Sequence, residues 1–584
     1  MTTPGRADSL PANDLHVERL VRAPVDEWFY GIGDTRNRYL GPLLPEAGTP
    51  AAQPGDGAIG KRNGSYLWAM AASGDNLWFS SLGNGWCGWM MVSGHLTPSR
   101  NPNWACETWR SHYPDQQTPE TGWMWPEGAS RLQADWRPPQ IFWRNRVSGL
   151  VRQARSDSPV FRHILSRSFG FRAAGSHAGV VFMASNPLVR DDDSVFLLAF
   201  DGNTGEFIDG TRIQGYVNVR RFRVLRHPDG SDALYLLLGS EMFSSAHPNH
   251  LLRWQGDRQH PFGSGKEHSA TPGFAVVGDL GDAGAGAEFL QHGDRLIVTT
   301  WGGSERPAGM FLSGEMPADG FTPARPAAFD HVLDAGDFDP DPAIARSWLM
   351  GAIEEFRGKV YWGTIFPPGQ GFLELAKRHP SVLLDAALGI VRAHRRTHLF
   401  RTDFTDPEHP HTELLYGEAR LWSYRDGHWS LQPNRLGLTP LFGDAGYDEY
   451  FNDYTWTMVR YRDSLYVGTF DIAGGMRAIR DDTDCRWTCY VLRTLADQRA
   501  PQAQTPGFDL LRFDDPQRPP LVLTRDGFGN PANNGIRNAI VMGDELFLGG
   551  STYSNLDTAA GEAGWELFRI TPRPTTQPAT DATP

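Results

Sequence analysis

Cysteine and lysine are both scarce in this 584-residue chain. The four cysteines, Cys87, Cys106, Cys485 and Cys489, fall in two local pairs. The Cys485-Arg-Trp-Thr-Cys489 spacing lacks the pattern of a zinc knuckle, so no structural metal site is expected there. Two disulfides are expected instead, the first closing a loop of about twenty residues and contributing roughly 3 kcal/mol. Four separate thiols in a reducing compartment are the alternative. Basic residues number 55, of which only Lys61, Lys266, Lys359 and Lys377 are not arginine, and the net charge is −13. An acidic balance excludes a nucleic-acid groove as the main function. Apolar runs such as Val195 to Phe200 are far too short for a helix to cross a bilayer, so no membrane span is expected. The polar opening to Asp14 contains no intact signal peptide, which leaves a cytoplasmic protein or one written without its leader.

Glycine and tryptophan are plentiful, with 64 and 20 residues, and 40% of the chain is hydrophobic. Such a composition belongs to a soluble globular protein. An apolar strand, a Gly/Asp turn and a second apolar strand recur seven times. The second strands read Leu77-Trp-Phe-Ser, Val181-Phe-Met-Ala, Leu234-Tyr-Leu-Leu, Leu296-Ile-Val-Thr, Val360-Tyr-Trp-Gly, Leu465-Tyr-Val-Gly and Leu546-Phe-Leu-Gly. Third strands follow with their own signature, as in Asp509-Leu-Leu-Arg-Phe and Glu566-Leu-Phe-Arg-Ile. Hairpin turns between short apolar strands, repeated at this period, predict an all-β, seven-bladed β-propeller with four-stranded blades.

Two intervals, Trp78 to Phe182 and Tyr361 to Tyr466, are nearly double the others. They read as insertions because neither holds another turn between paired apolar strands; eight blades is the alternative. Insertions are expected at residues 86–136, 367–396 and 471–506, all on the mouth face, the second with a helix near Ser381 to His394. The propeller spans residues 15–572, after a flexible segment 1–14 and before a disordered Thr/Pro-rich tail 573–584. A strand around Val17 to Val21 is expected to close the last blade.

Several stretches carry a likeness: Leu465-Tyr-Val-Gly-Thr-Phe, Val360-Tyr-Trp-Gly-Thr, Lys61-Arg-Asn-Gly-Ser-Tyr-Leu-Trp, Gly215-Tyr-Val-Asn-Val-Arg and Asp526-Gly-Phe-Gly-Asn-Pro-Ala-Asn-Asn-Gly-Ile-Arg-Asn. Together they resemble a family of functionally unassigned, often exported bacterial β-propeller proteins, over most of the chain. The resemblance implies a secreted or periplasmic protein, with a cytoplasmic one as the alternative. It implies no catalytic residues.

Counting ten residues back from each second-strand anchor compares equivalent inner-strand positions. These are Trp68, Arg172, Ala287, Gly351, Trp456 and Arg537, with Arg220 in the blade whose turn is longer. Tryptophan and arginine at one depth predict an aromatic, cationic channel mouth, to which Trp86 and Trp301 are added as ligand-binding candidates. Side chains that only bond neighbouring blades are the bland alternative. Buried guanidinium groups there need carboxylate partners or an anionic ligand. Glu241, His247, Glu354 and Asp453 are the candidates for acid–base chemistry near the mouth.

Other motifs dissolve on inspection. Gly83-Asn-Gly-Trp-Cys-Gly matches a dinucleotide fingerprint by letters but lacks a following helix. His394 and His398 have zinc-helix spacing without a catalytic Glu between them, and read as a solvated helix end. Asp337, Asp339 and Asp341 lack the glycine and glutamate of a calcium loop. The sequence specifies no cofactor and no oligomeric state. The expected function is binding of a glycan or another small polar or anionic ligand. A hydrolase or lyase, and a protein-interaction scaffold, are the alternatives, since propellers host all three.

Overall fold

The computed structural model describes residues 14–31, 34–36, 38–39, 55–62, 64–83, 85, 138–188, 193–265, 269–304, 306–481, 489–499, 504–559 and 561–573. The insertion at 86–136 with Trp86, the cysteines other than Cys489, the start of the chain and the tail beyond Arg573 lie outside these residues. So does the side chain of Cys489, and with it both expected disulfides.

The described chain is all-β and antiparallel, built as seven consecutive four-stranded units. Their first, inner strands are Tyr66–Ser73, Ser168–His177, Asn218–Arg226, Ala285–His292, Leu349–Phe356, Asn452–Tyr461 and Asn533–Met542. Each is joined to its second strand by a tight turn. In Ala178-Gly179 and Arg357-Gly358 both residues have positive φ, the geometry that matches the twist of a hairpin. The last unit takes its fourth strand from the N-terminus: Leu15–Arg22 pairs antiparallel with Glu566–Pro572. Asp14 and Arg573 are ordered too, linked by a backbone hydrogen bond of 2.8 Å, and the Asp14 carboxylate holds Arg512 at 2.8 Å.

Strands such as Asp232–Gly239 are buried almost end to end because each sheet is covered on both faces. One apolar cluster lies between each pair of consecutive units, for example Trp78, Phe171 and Phe200 between the first and second. Another, with Val21, Leu67, Phe79, Phe547 and Trp565, joins the seventh to the first. Inner strands contact their successors in the same order, and the last contacts the first.

The interval between the fifth and sixth units differs from expectation. It contains a hairpin, Arg420–Arg425 with His428–Pro433, turned at Asp426-Gly427. The pair forms a sheet of its own and adds no unit. The insertion before it carries helices Gln370–Arg378 and Ala386–Ala393 with a 3-10 turn Pro380–Asp385 between them, rather than one continuous helix.

Candidate functional site

Every inner strand carries a register shift at the same level. The unpaired residue is Trp68, Arg172, Arg220, Ala287, Trp456 or Arg537, and in the fifth unit Gly351 with Ala352. A bulge breaks the two-residue alternation and re-aims the side chain it frees. Arg220 and Arg221 show the effect: although adjacent, both reach the carboxylate of Glu288, at 3.3 and 2.5 Å. A regular strand would send them to opposite faces.

The freed side chains converge. Arg172 lies over the rings of Trp68 at 5.3 Å and Trp301 at 4.9 Å; Arg220 shares Trp301 at 4.3 Å. Arg537 lies over Trp456 at 5.8 Å, and Tyr66 of the first unit meets Trp456 of the sixth edge-on at 5.7 Å. Glycine makes room for the two tryptophans of neighbouring inner strands. A Cβ on Gly535 would fall 2.5 Å from the Trp456 ring, and one on Gly170 would fall 2.8 Å from Trp68. Hence the recurrence of Gly170-Phe-Arg172 and Gly535-Ile-Arg537 beside Trp68 and Trp456.

Cations outnumber anions at this axis. Burial and then Arg220 and Arg221 push the Arg537 guanidinium well below its usual range, and burial with Arg220 does the same to Arg172. Arg220, lowered to about 10 chiefly by burial, is supported by Glu288. Burial opposes ionisation of Glu288, yet Arg221, Arg220 and Arg223 hold its carboxyl down at about 2. Further along, Glu354 stands between Arg223 at 3.9 Å and Arg460 at 3.6 Å. Six arginines therefore share two glutamates within an acidic protein.

The unpartnered polar atoms here are donors. Neither terminal nitrogen of Arg537, which is 1% exposed, has a hydrogen-bond partner, nor do Nε of Arg172 and Nδ2 of Asn218. Asn218 accepts from Arg172 Nη1 at 2.7 Å, which fixes its amide orientation and leaves Nδ2 as a true donor. Unsatisfied buried donors cost roughly 1–3 kcal/mol each. They stand beside an excess of positive charge.

Apolar side chains cap this group. Ile472, Ala473, Met476 and Ala496 pack in one cluster with Trp68, Trp301, Trp456 and Tyr553. Ala473 and Met476 belong to helix Ala473–Asp481, and Ala496 to helix Cys489–Arg499. The 367–396 and 471–506 insertions meet through helices Ala386–Ala393 and Cys489–Arg499.

The four acid–base candidates do not assemble. Glu241 is exposed on the loop after the third unit's second strand, and His247 faces Asp193 at 3.7 Å. Glu354 is engaged by arginine, and Asp453 is buried beside His394. Among the described residues, no hydrogen bond or ion pair joins any two of the four. His394 and His398 are 2% and 0% exposed on their side chain and residue respectively, not a solvated helix end. His398 is satisfied by Arg396 O and the Glu418 amide. Sequence reasoning missed Glu288 and Asn218, although Glu288 directly follows the bulged Ala287.

Three buried carboxyls of the sixth unit are raised. Burial and the neighbouring Asp471 lift Asp453 well above the carboxylate range, burial and Asp509 do the same to Asp471, and burial takes Asp509 to about 7 against the pull of Arg525. A carboxyl raised on folding binds protons that the unfolded chain has released. Its stabilisation is complete below the unfolded pKa and is lost as pH rises through the folded one. Urea melts are expected to show stability falling from about pH 4 to about pH 7, and Asp471→Asn to flatten that slope. An unchanged slope in the variant contradicts the assignment.

No protein-family model and no curated protein matches this chain. Among solved structures, similar ones include the polysaccharide lyase Uly1, at 8% identity and TM-score 0.39 over 96% of this chain and 99% of that one. Hydrazine synthase from Kuenenia stuttgartiensis aligns at 9% identity and TM-score 0.36, covering 84% and 93%. The β-propeller domain of the Trilobed protease from Pyrococcus furiosus aligns at 8% identity and TM-score 0.34, covering 86% and 93%. At these scores no role is transferred from any of them to this chain.

Proposed function

We propose that the chain is a seven-bladed β-propeller whose axial site binds a small ligand carrying a negative group, with an acidic sugar or glycan fragment as the best-fitting class. One apolar cluster at each junction between consecutive units, the seventh-to-first included, supports seven blades over eight. The extra hairpin stands alone and fills no eighth position. The observation that carries the function is Arg537, buried with both terminal nitrogens unpartnered beside Arg172, Arg220 and Arg221. The donors suit a carboxylate, and the rings of Trp68, Trp301 and Trp456 beneath the guanidinium groups give the site apolar walls. The hydrolase or lyase reading loses support because Glu354 is held between two arginines and, among the described residues, no hydrogen bond or ion pair joins any two of Glu241, His247, Glu354 and Asp453.

A thermal-shift comparison of matched pairs, glucuronate with glucose and galacturonate with galactose, tests the reading. The acids are expected to raise the melting temperature with concentration while the neutral sugars do not. Equal responses to acid and neutral partners would remove the negative group from the proposal. No response to either pair, nor to citrate, sulfate or phosphate, would remove the site.

A further inference from the structure

Among the described residues, the buried arginines away from the axis each face a carboxylate. Arg62 meets Asp557 at 3.1 Å, Arg395 meets Asp339 at 2.8 Å, Arg401 meets Glu413 at 2.7 Å and Arg512 meets Asp14 at 2.8 Å. Two arginines at the axis break this pattern. Among the described residues, neither Arg172 nor Arg537 pairs with a carboxylate. Glu288 is already occupied on both oxygens, Oε1 by Arg220 at 3.3 Å and Oε2 by Arg221 at 2.5 Å. Glu354 is likewise held between Arg223 and Arg460.

The two unmatched guanidinium groups come from different units and offer different donors. Arg172, on the inner strand Ser168–His177, gives Nη1 to Asn218 Oδ1 at 2.7 Å and keeps Nε without a partner. It lies against Trp68 and Trp301. Arg537, on the inner strand Asn533–Met542, keeps both terminal nitrogens without a partner and lies against Trp456. One negative charge placed anywhere between them still leaves a positive charge in excess, and a charge held out of water without a counter-ion is costly. Resting on the anion reading above, we propose that the axial ligand carries two negative charges, as a dicarboxylic sugar acid or a sugar phosphate does. Arg172 then sets the preference for the second charge, while Arg537 binds the first.

Calorimetry on the full chain at about pH 8 compares three probes: glucuronate with one charge, glucarate with two carboxylates on a six-carbon chain, and glucose 6-phosphate with a doubly ionised phosphate. At least one doubly charged probe is expected to bind roughly tenfold or more tightly than glucuronate. Glucarate leads if the charges are met apart, and glucose 6-phosphate if one group spans both arginines. In Arg172→Met that advantage is expected to vanish while glucuronate still binds. Glucuronate binding as tightly as both doubly charged probes overturns the proposal and leaves the single-anion reading standing. So does an advantage that Arg172→Met retains. Binding of none of the three overturns both.

Discussion

Replacing Arg537 by Met is expected to raise the melting temperature of the ligand-free protein and to abolish its response to acidic ligands. The guanidinium is 1% exposed, lacks a partner for either terminal nitrogen and is repelled by Arg220, Arg221 and Arg172. Burying such a charge costs several kcal/mol, and an apolar side chain of similar volume relieves that cost, so a gain of about 1–4 kcal/mol is expected. Methionine keeps the contact with the Trp456 ring. Loss of charge-assisted hydrogen bonds worth about 1.5–3 kcal/mol weakens an anionic ligand by roughly 10- to 150-fold. Stability and binding therefore move in opposite directions, as in sites strained for function. A variant that is less stable and binds normally would make Arg537 a structural residue.

Glu288→Gln is expected to have the opposite effect on the fold. Its carboxylate, 0% exposed, accepts from both Arg220 and Arg221, and deleting the negative partner of a buried ion pair costs about 3–5 kcal/mol. Denaturant melts measure that loss directly. Adding Arg537→Met to Glu288→Gln is expected to recover part of it, because the two residues interact through one charge balance. Strict additivity would deny the coupling. The same carboxyl sets an acid limit. Arginine holds it at about 2 against an ordinary value of 4.5, so its contribution is whole above pH 4.5 and disappears as pH falls towards 2. By linkage that contribution is about 3 kcal/mol. Together with the raised carboxyls of the sixth unit, it places the stability maximum from these groups at roughly pH 4–5.

The repeat was readable because each unit spends its hydrophobicity in the same places. Leu-Tyr-Val-Gly at Leu465 and Leu-Phe-Leu-Gly at Leu546 fill equivalent strands, and turn glycines mark their starts. The ten-residue offset found the axial ring because the hairpins have nearly equal length. It failed only in the third unit, where the longer turn at Asp229-Gly230 displaces Arg220. The bulges themselves were invisible, since no residue type announces one, and without them strict alternation separates Arg221 from Arg220. Glu288 was missed for that reason. The pairing of His394 with Asp453 was also hidden: it joins residues of different units through an insertion whose course depends on tertiary packing. The hairpin at Arg420–Pro433 escaped because its strands, such as Arg420–Arg425, are largely polar or partly exposed and lack the apolar signature of the seven units.

If the unpartnered donors at the axis bind an anion, bromide reports it directly. Crystals of the full chain soaked in sodium bromide and measured at the bromine edge are expected to show an anomalous peak at the Arg537 guanidinium, shared with Arg172 or Asn218 and absent from Arg537→Met. Bromide confined to the outer surface, with an ordered water or protein acceptor satisfying both terminal nitrogens of Arg537, would contradict it.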